Sequence, residues 1–94
     1  MNKSELVTYI AEKYKITKID SDQFINKFIE IIEDVLAKGD SINLVGFGNW
    51  QVKKIPAKQG RNPKTGQVIY IKGHNRPIFK AGKNLKEKVN LLID

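Results

Sequence analysis

This 94-residue sequence has no cysteine, which excludes disulfides and thiolate metal sites. It has one histidine, His74, set in a Gly-His-Asn break with no second histidine and no carboxylate beside it. A lone imidazole of that kind has no partner for acid–base work or for metal ligation, so no catalytic residue, metal site or cofactor is expected. The Gly-x-x-x-x-Gly-Lys-Ser/Thr pattern that cradles nucleotide phosphates is missing too. No stretch approaches the ~20 apolar residues of a membrane-spanning helix, and the N-terminus carries no signal-like apolar run. A soluble, intracellular, non-enzymatic chain is expected.

The most telling shortage is of carboxylates. The chain carries a net charge of +7, unevenly spread. Residues 1–40 hold six basic and eight acidic side chains, whereas residues 41–94 hold eleven basic and only Glu87 and Asp94 as acids. From Ser41 to Lys86 there is no aspartate or glutamate at all, yet Lys53, Lys54, Lys58, Arg61, Lys64, Lys72, Arg76, Lys80, Lys83 and Lys86 fall there. A surface built only for solubility mixes both signs. A single lysine is most simply a solvated side chain, but ten cations without one anion point to a polyanionic partner: DNA, RNA or an anionic membrane surface.

Ninety-four residues suffice for one domain with a modest core, which makes self-association reasonable on size alone. Asn2 followed by Glu5 is a capping signal, and Leu6, Ile10 and Tyr14 recur every four residues, predicting a helix that ends near Lys15. Thr17 and Asp20 repeat the signal. Phe24, Ile25, Phe28, Ile29, Ile32, Val35 and Leu36 then form a wide apolar stripe on a longer helix closed by Gly39. That stripe is core, of one chain or of two. Ile42 and Leu44 mark a strand, Gly46-Phe47-Gly48 a tight bend whose backbone must approach something closely, and Trp50 onward a second strand. Pro56 signals an edge or a bend. Val68-Ile69-Tyr70-Ile71 has strong strand propensity, and Gly73-His74-Asn75 interrupts it. Pro77-Ile78-Phe79 re-enters the core, and Gly82 precedes a short helix with Leu85, Val89 and Leu92 on one face.

Between two extended legs, Trp50 to Lys58 and Gln67 to Lys72, lies Gly60-Arg61-Asn62-Pro63-Lys64-Thr65-Gly66. Proline presets φ for a turn and lacks a donor, and Thr-Gly closes such a turn, so Pro63 belongs at a hairpin tip. By itself that is a solvated turn. Its place amid a carboxylate-free hairpin makes it a contact point for an anion.

Leu44-Val45-Gly46-Phe47-Gly48, the Gly60–Gly66 block and Phe79-Lys80-Ala81-Gly82-Lys83-Asn84-Leu85-Lys86 resemble, in order and spacing, the three hallmark blocks of the HU/IHF family of bacterial histone-like DNA-bending proteins. The resemblance spans essentially the whole chain and implies an α+β fold: two N-terminal helices, a three-stranded antiparallel sheet with a long hairpin arm, and a short C-terminal helix. It implies a single domain over residues 1–94, with residues 1–39 a helical dimerisation body, residues 40–94 a β-saddle and arm (about 57–73), and an intertwined homodimer. Phe28, Ile29, Ile32, Leu44, Phe47, Trp50 and Phe79 would form the dimer core. Pro63 would wedge between base pairs from the minor groove, a mode for which these proteins are themselves type examples. Arg61 and Asn62 would reach the groove beside it. Lys53, Lys58, Lys64, Lys72, Lys80, Lys83 and Lys86 would neutralise phosphates, with Lys3 on the flank of the body.

Some positions depart from the family's habit. Trp50 stands where phenylalanine is common, and Ile55-Pro56 replaces a leg that usually carries a cation near 55. Lys54 is a substitute cation that falls on the other face of its strand. Val68 and Tyr70 are more apolar than usual, and Arg76 replaces an apolar residue and adds a potential phosphate contact. The expected function is double-stranded DNA binding and bending in the cytoplasmic nucleoid, with little sequence specificity and a preference for nicked, kinked or flexible A·T-rich sites. An RNA-binding or ribosome-associated basic protein is the alternative. A purely structural dimer does not account for the charge.

Overall fold

The computed structural model of the protein describes residues 1–91. The expected position of Leu92 on the last helix lies outside the described residues. The chain divides into two compact units, Met1–Val35 and Leu36–Asp94.

The first unit is helical. Helix α1 spans Lys3–Tyr14, and its cap is the one the sequence signals: Glu5 N–H donates to Asn2 Oδ1 at 2.9 Å. It stops because Lys15 enters the left-handed region at φ 56°. Helix α2, Lys18–Ala37, is capped by Thr17 Oγ1, which accepts from Asp20 N–H at 3.1 Å. Val7 and Ala11 of α1 and Ile25 of α2 are buried. Among them the hydroxyl of Ser21, fully buried, donates to the Val7 carbonyl at 2.8 Å and ties the two helices together. The stripe on α2 is not covered in the same way. Phe24 and Phe28 stack on each other at 6.2 Å yet stay exposed, as do Ile29 and Ile31.

The second unit holds the strands. β1 (Ile42–Leu44), β2 (Gly48–Ile55) and β5 (His74–Ala81) form an antiparallel sheet in the order β1-β2-β5. β3 (Lys58–Arg61) and β4 (Val68–Ile71) form a separate two-stranded antiparallel sheet, the arm. One expectation needs correction here. The first leg is not continuous from Trp50 to Lys58: residues through Ile55 belong to the three-stranded sheet, Pro56 and Ala57 break it, and only Lys58 onward is arm. Proline has no N–H to give the ladder, so pairing lapses there, opposite Lys72 and Gly73.

Helix α3, Lys83–Asn90, is locked to the β1–β2 turn. The N–H groups of Asn84 and Leu85 both donate to the Gly46 carbonyl, at 2.9 and 3.2 Å, and Gly82 N–H donates to the Phe47 carbonyl at 2.7 Å. A Cβ on Gly82 would sit 2.7 Å from the Gly46 carbonyl carbon and oxygen. The close backbone approach expected of the Gly46–Gly48 bend is therefore made to the start of α3. Phe47, Trp50 and Phe79 pack as mutually tilted rings, with centroids 5.9, 5.9 and 4.7 Å apart. Each such pair contributes about 0.5–1.5 kcal/mol beyond its buried area.

Candidate nucleic-acid interface

Side chains alternate across a strand, so the register sorts the sheet residues into two faces. Trp50 pairs with both Ile42 and Phe79, Gly48 with Leu44 and Ala81, and Val52 with Pro77. These make one largely apolar face. Lys54, opposite Asn75, belongs to that face at its far end. The other face carries Asn43 against Asn49, Asn49 against Lys80, Gln51 against Ile78, Lys53 against Arg76, and Ile55 against His74. Lys53, Arg76 and Lys80 thus share one face, exposed and free of acids. Lys54 does not join them.

In the arm, Lys58 pairs with Ile71 and Gly60 with Ile69, while Gln59 pairs with Tyr70 and Arg61 with Val68. Lys58 and Arg61 therefore project from opposite faces of the arm. Val68, Ile69, Tyr70 and Ile71 are all exposed. Lys72 is exposed at the arm's base.

The tip is built around Asn62. Its N–H donates to the Gln67 carbonyl at 2.9 Å, its carbonyl accepts from Gly66 N–H at 2.8 Å, and its Oδ1 accepts from Lys64 N–H at 2.9 Å. The last bond spans Pro63 and fixes it within an Asx turn. Gln67 N–H donates to Thr65 Oγ1 at 3.3 Å and completes the return. Gly66 sits at φ +71°, where an L side chain would be strained. Pro63 and the side chains of Arg61 and Lys64 remain exposed around this frame.

Asn62 is thus first a turn-former: its Oδ1 is engaged by Lys64 N–H and its side chain is half-buried. Charge counting missed this frame, along with the roles of Thr65 and Gln67. The Asn-Pro-Lys-Thr-Gly string carried the signal, since Asx and Ser/Thr side chains bond backbone two residues on. It also missed the polar row Asn43, Asn49 and Gln51, which strand alternation would have found.

Lys3 lies in the helical unit and pairs with Asp22 at 3.7 Å. Lys83, the first residue of α3, reaches Glu87 one turn on at 4.0 Å. Both pairs are largely exposed, so each is worth little and can be exchanged for a stronger anion. Lys86 is exposed on α3.

The family of bacterial DNA-binding proteins matches residues 1–90. Among curated relatives, the DNA-binding protein HU of Clostridium pasteurianum is 48% identical over 90 residues, covering 96% of this chain and 99% of its own. HU-1 of Halalkalibacterium halodurans is 45% identical over 89 residues, covering 95% and 99%. A cocrystal structure of Anabaena HU with DNA superposes with a TM-score of 0.86 at 42% identity, covering 95% of this chain and 97% of that one. HU from Thermotoga maritima gives a TM-score of 0.67 at 32% identity, covering 95% and 98%. With family and relatives matched over nearly the full length, and the sheet, arm and tip in place, the chain belongs to the bacterial DNA-binding proteins of the HU/IHF family and stands with the members named HU.

Proposed function

We propose that this protein is an architectural DNA-binding protein of the bacterial nucleoid. As a homodimer it lays the carboxylate-free sheet face and two arms on double-stranded DNA, and bends the duplex by wedging Pro63 into the minor groove. The observation that carries this reading is the tip: an exposed proline fixed by the Asn62–Lys64 bond, between two exposed cations, at the end of a hairpin with no acid in it. A rigid apolar ring is suited to unstacking a base step, and the flanking cations to holding the phosphates on either side. Arg61 reaches the groove floor or its edge, and Asn62 holds the tip that presents it. Lys53, Lys58, Lys64, Lys72, Arg76, Lys80, Lys83 and Lys86 supply phosphate contacts, with Lys3 at the flank. The register argues against Lys54 as a member of this set.

Dimerisation is supported by what a single chain leaves uncovered. Among the described residues only Val7, Ala11 and Ile25 are buried hydrophobics, while Phe28 is 43%, Phe47 46% and Phe79 42% exposed. Apolar surface on that scale marks an interface. Ile29, equally uncovered, and the half-buried Ile32 extend the uncovered surface of the helical unit, as Leu44 and the half-buried Trp50 extend that of the strand unit. A second copy of the chain covers these faces in this reading.

Specificity comes from how cheaply a site deforms, which favours nicked, kinked or A·T-rich DNA over any fixed sequence. The RNA-binding alternative gains no support from the relatives, whose names specify DNA. A salt series of gel shifts on linear, nicked and A·T-rich duplexes, with an RNA hairpin control, tests the reading. Expected are tightest binding to nicked DNA and a steep loss with salt, about 10³–10⁵-fold between 50 and 200 mM for six to ten phosphate contacts. Equal affinity for the RNA control, or binding indifferent to salt, would overturn it.

A further inference from the structure

Lys53 and Arg76 are directly opposite each other across β2 and β5. Opposed residues on one face have Cβ atoms about 4.5–5.5 Å apart, and like charges so placed destabilise a sheet. Neither neighbour on that face relieves the repulsion. Gln51 and Ile78 flank the pair on one side and Ile55 and His74 on the other. The nearest carboxylates in sequence, Asp40 and Glu87, lie beyond both strands. Within the sheet the pair therefore has a cost and no compensation.

We propose that Lys53 and Arg76 form a two-cation clamp for a single backbone phosphate of the duplex, and that this phosphate supplies the counter-charge the sheet lacks. This deepens, and rests on, the DNA-binding reading above. A planar guanidinium presents two parallel N–H donors to phosphate oxygens, while the ammonium acts as a compact charge. Two such groups on one side of a sheet, a strand spacing of about 4.8 Å apart, are close enough to converge on one anion. The clamp couples binding to stability: the pair weakens the free sheet and strengthens the bound one.

The test uses the full chain with Lys53→Gln, Arg76→Gln and the double variant, each checked for native far-UV circular dichroism. Duplex affinity is followed by fluorescence anisotropy from 50 to 300 mM salt, and thermal unfolding without DNA at 20 and 500 mM salt. A shared phosphate predicts that the double variant lowers the slope of log affinity against log salt by about one, or about eightfold in affinity per decade of salt. The second substitution then adds less than the first, and Arg76→Lys restores most of the slope. Without DNA, each neutralised variant melts about 1–4 °C higher at 20 mM salt, a gain that disappears at 500 mM. A slope reduced by about two with additive losses means two independent contacts and overturns the clamp. An unchanged slope, or free variants that melt lower than the parent, overturns it as well. In each of those cases the parent's own salt-dependent duplex binding leaves the DNA-binding reading standing, whereas a parent without such binding refutes that reading itself.

Discussion

Replacing Asn62 by alanine separates a residue that builds the tip from one that touches DNA. In the free protein Asn62 Oδ1 accepts from Lys64 N–H at 2.9 Å across Pro63, while its backbone makes the two bonds that close the hairpin. Alanine keeps the backbone bonds and deletes the side-chain one. A net intramolecular hydrogen bond contributes about 0.5–1.5 kcal/mol, and at this exposed site the lower half of that range applies. At 1.4 kcal/mol per tenfold, the fixed orientation of Pro63 loses about two- to five-fold in population. Affinity for intact duplex falls by the same factor, because only the ordered tip delivers the wedge. The assay pairs amide exchange at Lys64, read by NMR in free protein, with fluorescence-transfer bending and anisotropy on the same duplex. Expected are faster exchange at Lys64, an unchanged melting temperature and a two- to five-fold loss of affinity. Asn62→Ser shortens the acceptor but keeps it, and recovers part of the loss. If Asn62→Ala leaves Lys64 exchange unchanged while affinity falls tenfold or more, the side chain acts on DNA directly and the tip-building account is wrong.

Other expectations follow from single contacts. Pro63→Ala leaves fold and dimerisation intact but reduces bending of intact duplex, and equal transfer efficiencies for variant and parent would refute the wedge. Gly82→Ala drives a methyl to 2.7 Å from the Gly46 backbone and destabilises by about 1–3 kcal/mol through overpacking, visible in urea unfolding; a neutral effect would mean that α3 shifts freely. Ser21→Ala removes the buried bond to the Val7 carbonyl, lowering stability by about 1–3 kcal/mol in the same assay. Amides of residues 58–71 exchange much faster than those of β2 and β5 in free protein, because an isolated two-stranded ribbon is marginal in water. Protection throughout the arm without DNA would count against this.

Much of this protein is written locally. Asn2 and Thr17 announce both long helices because capping is a contact between residues three apart, and the Gly60–Gly66 string announces the turn for the same reason. The carboxylate-free stretch announces a polyanionic partner, because sign along a chain survives any folding. What escaped was whatever depends on register. Strand alternation already puts Lys53 and Lys54 on opposite faces, but only their pairing with Arg76 and Asn75 shows that Lys53 is the one that stands with Arg76 and Lys80. The break at Pro56 was visible, but its consequence, two sheets rather than one long ribbon, required knowing where pairing resumes at Lys58 and Ile71. Likewise the glycines of the β1–β2 bend signalled a close approach, while only the folded chain names the start of α3 as what approaches. The elements, the tip and the sign of the partner are legible without the fold, since they rest on neighbours along the chain. Tertiary structure decided which cations stand together, because a strand's faces are assigned by its hydrogen-bonded partners and a shift of one residue exchanges them.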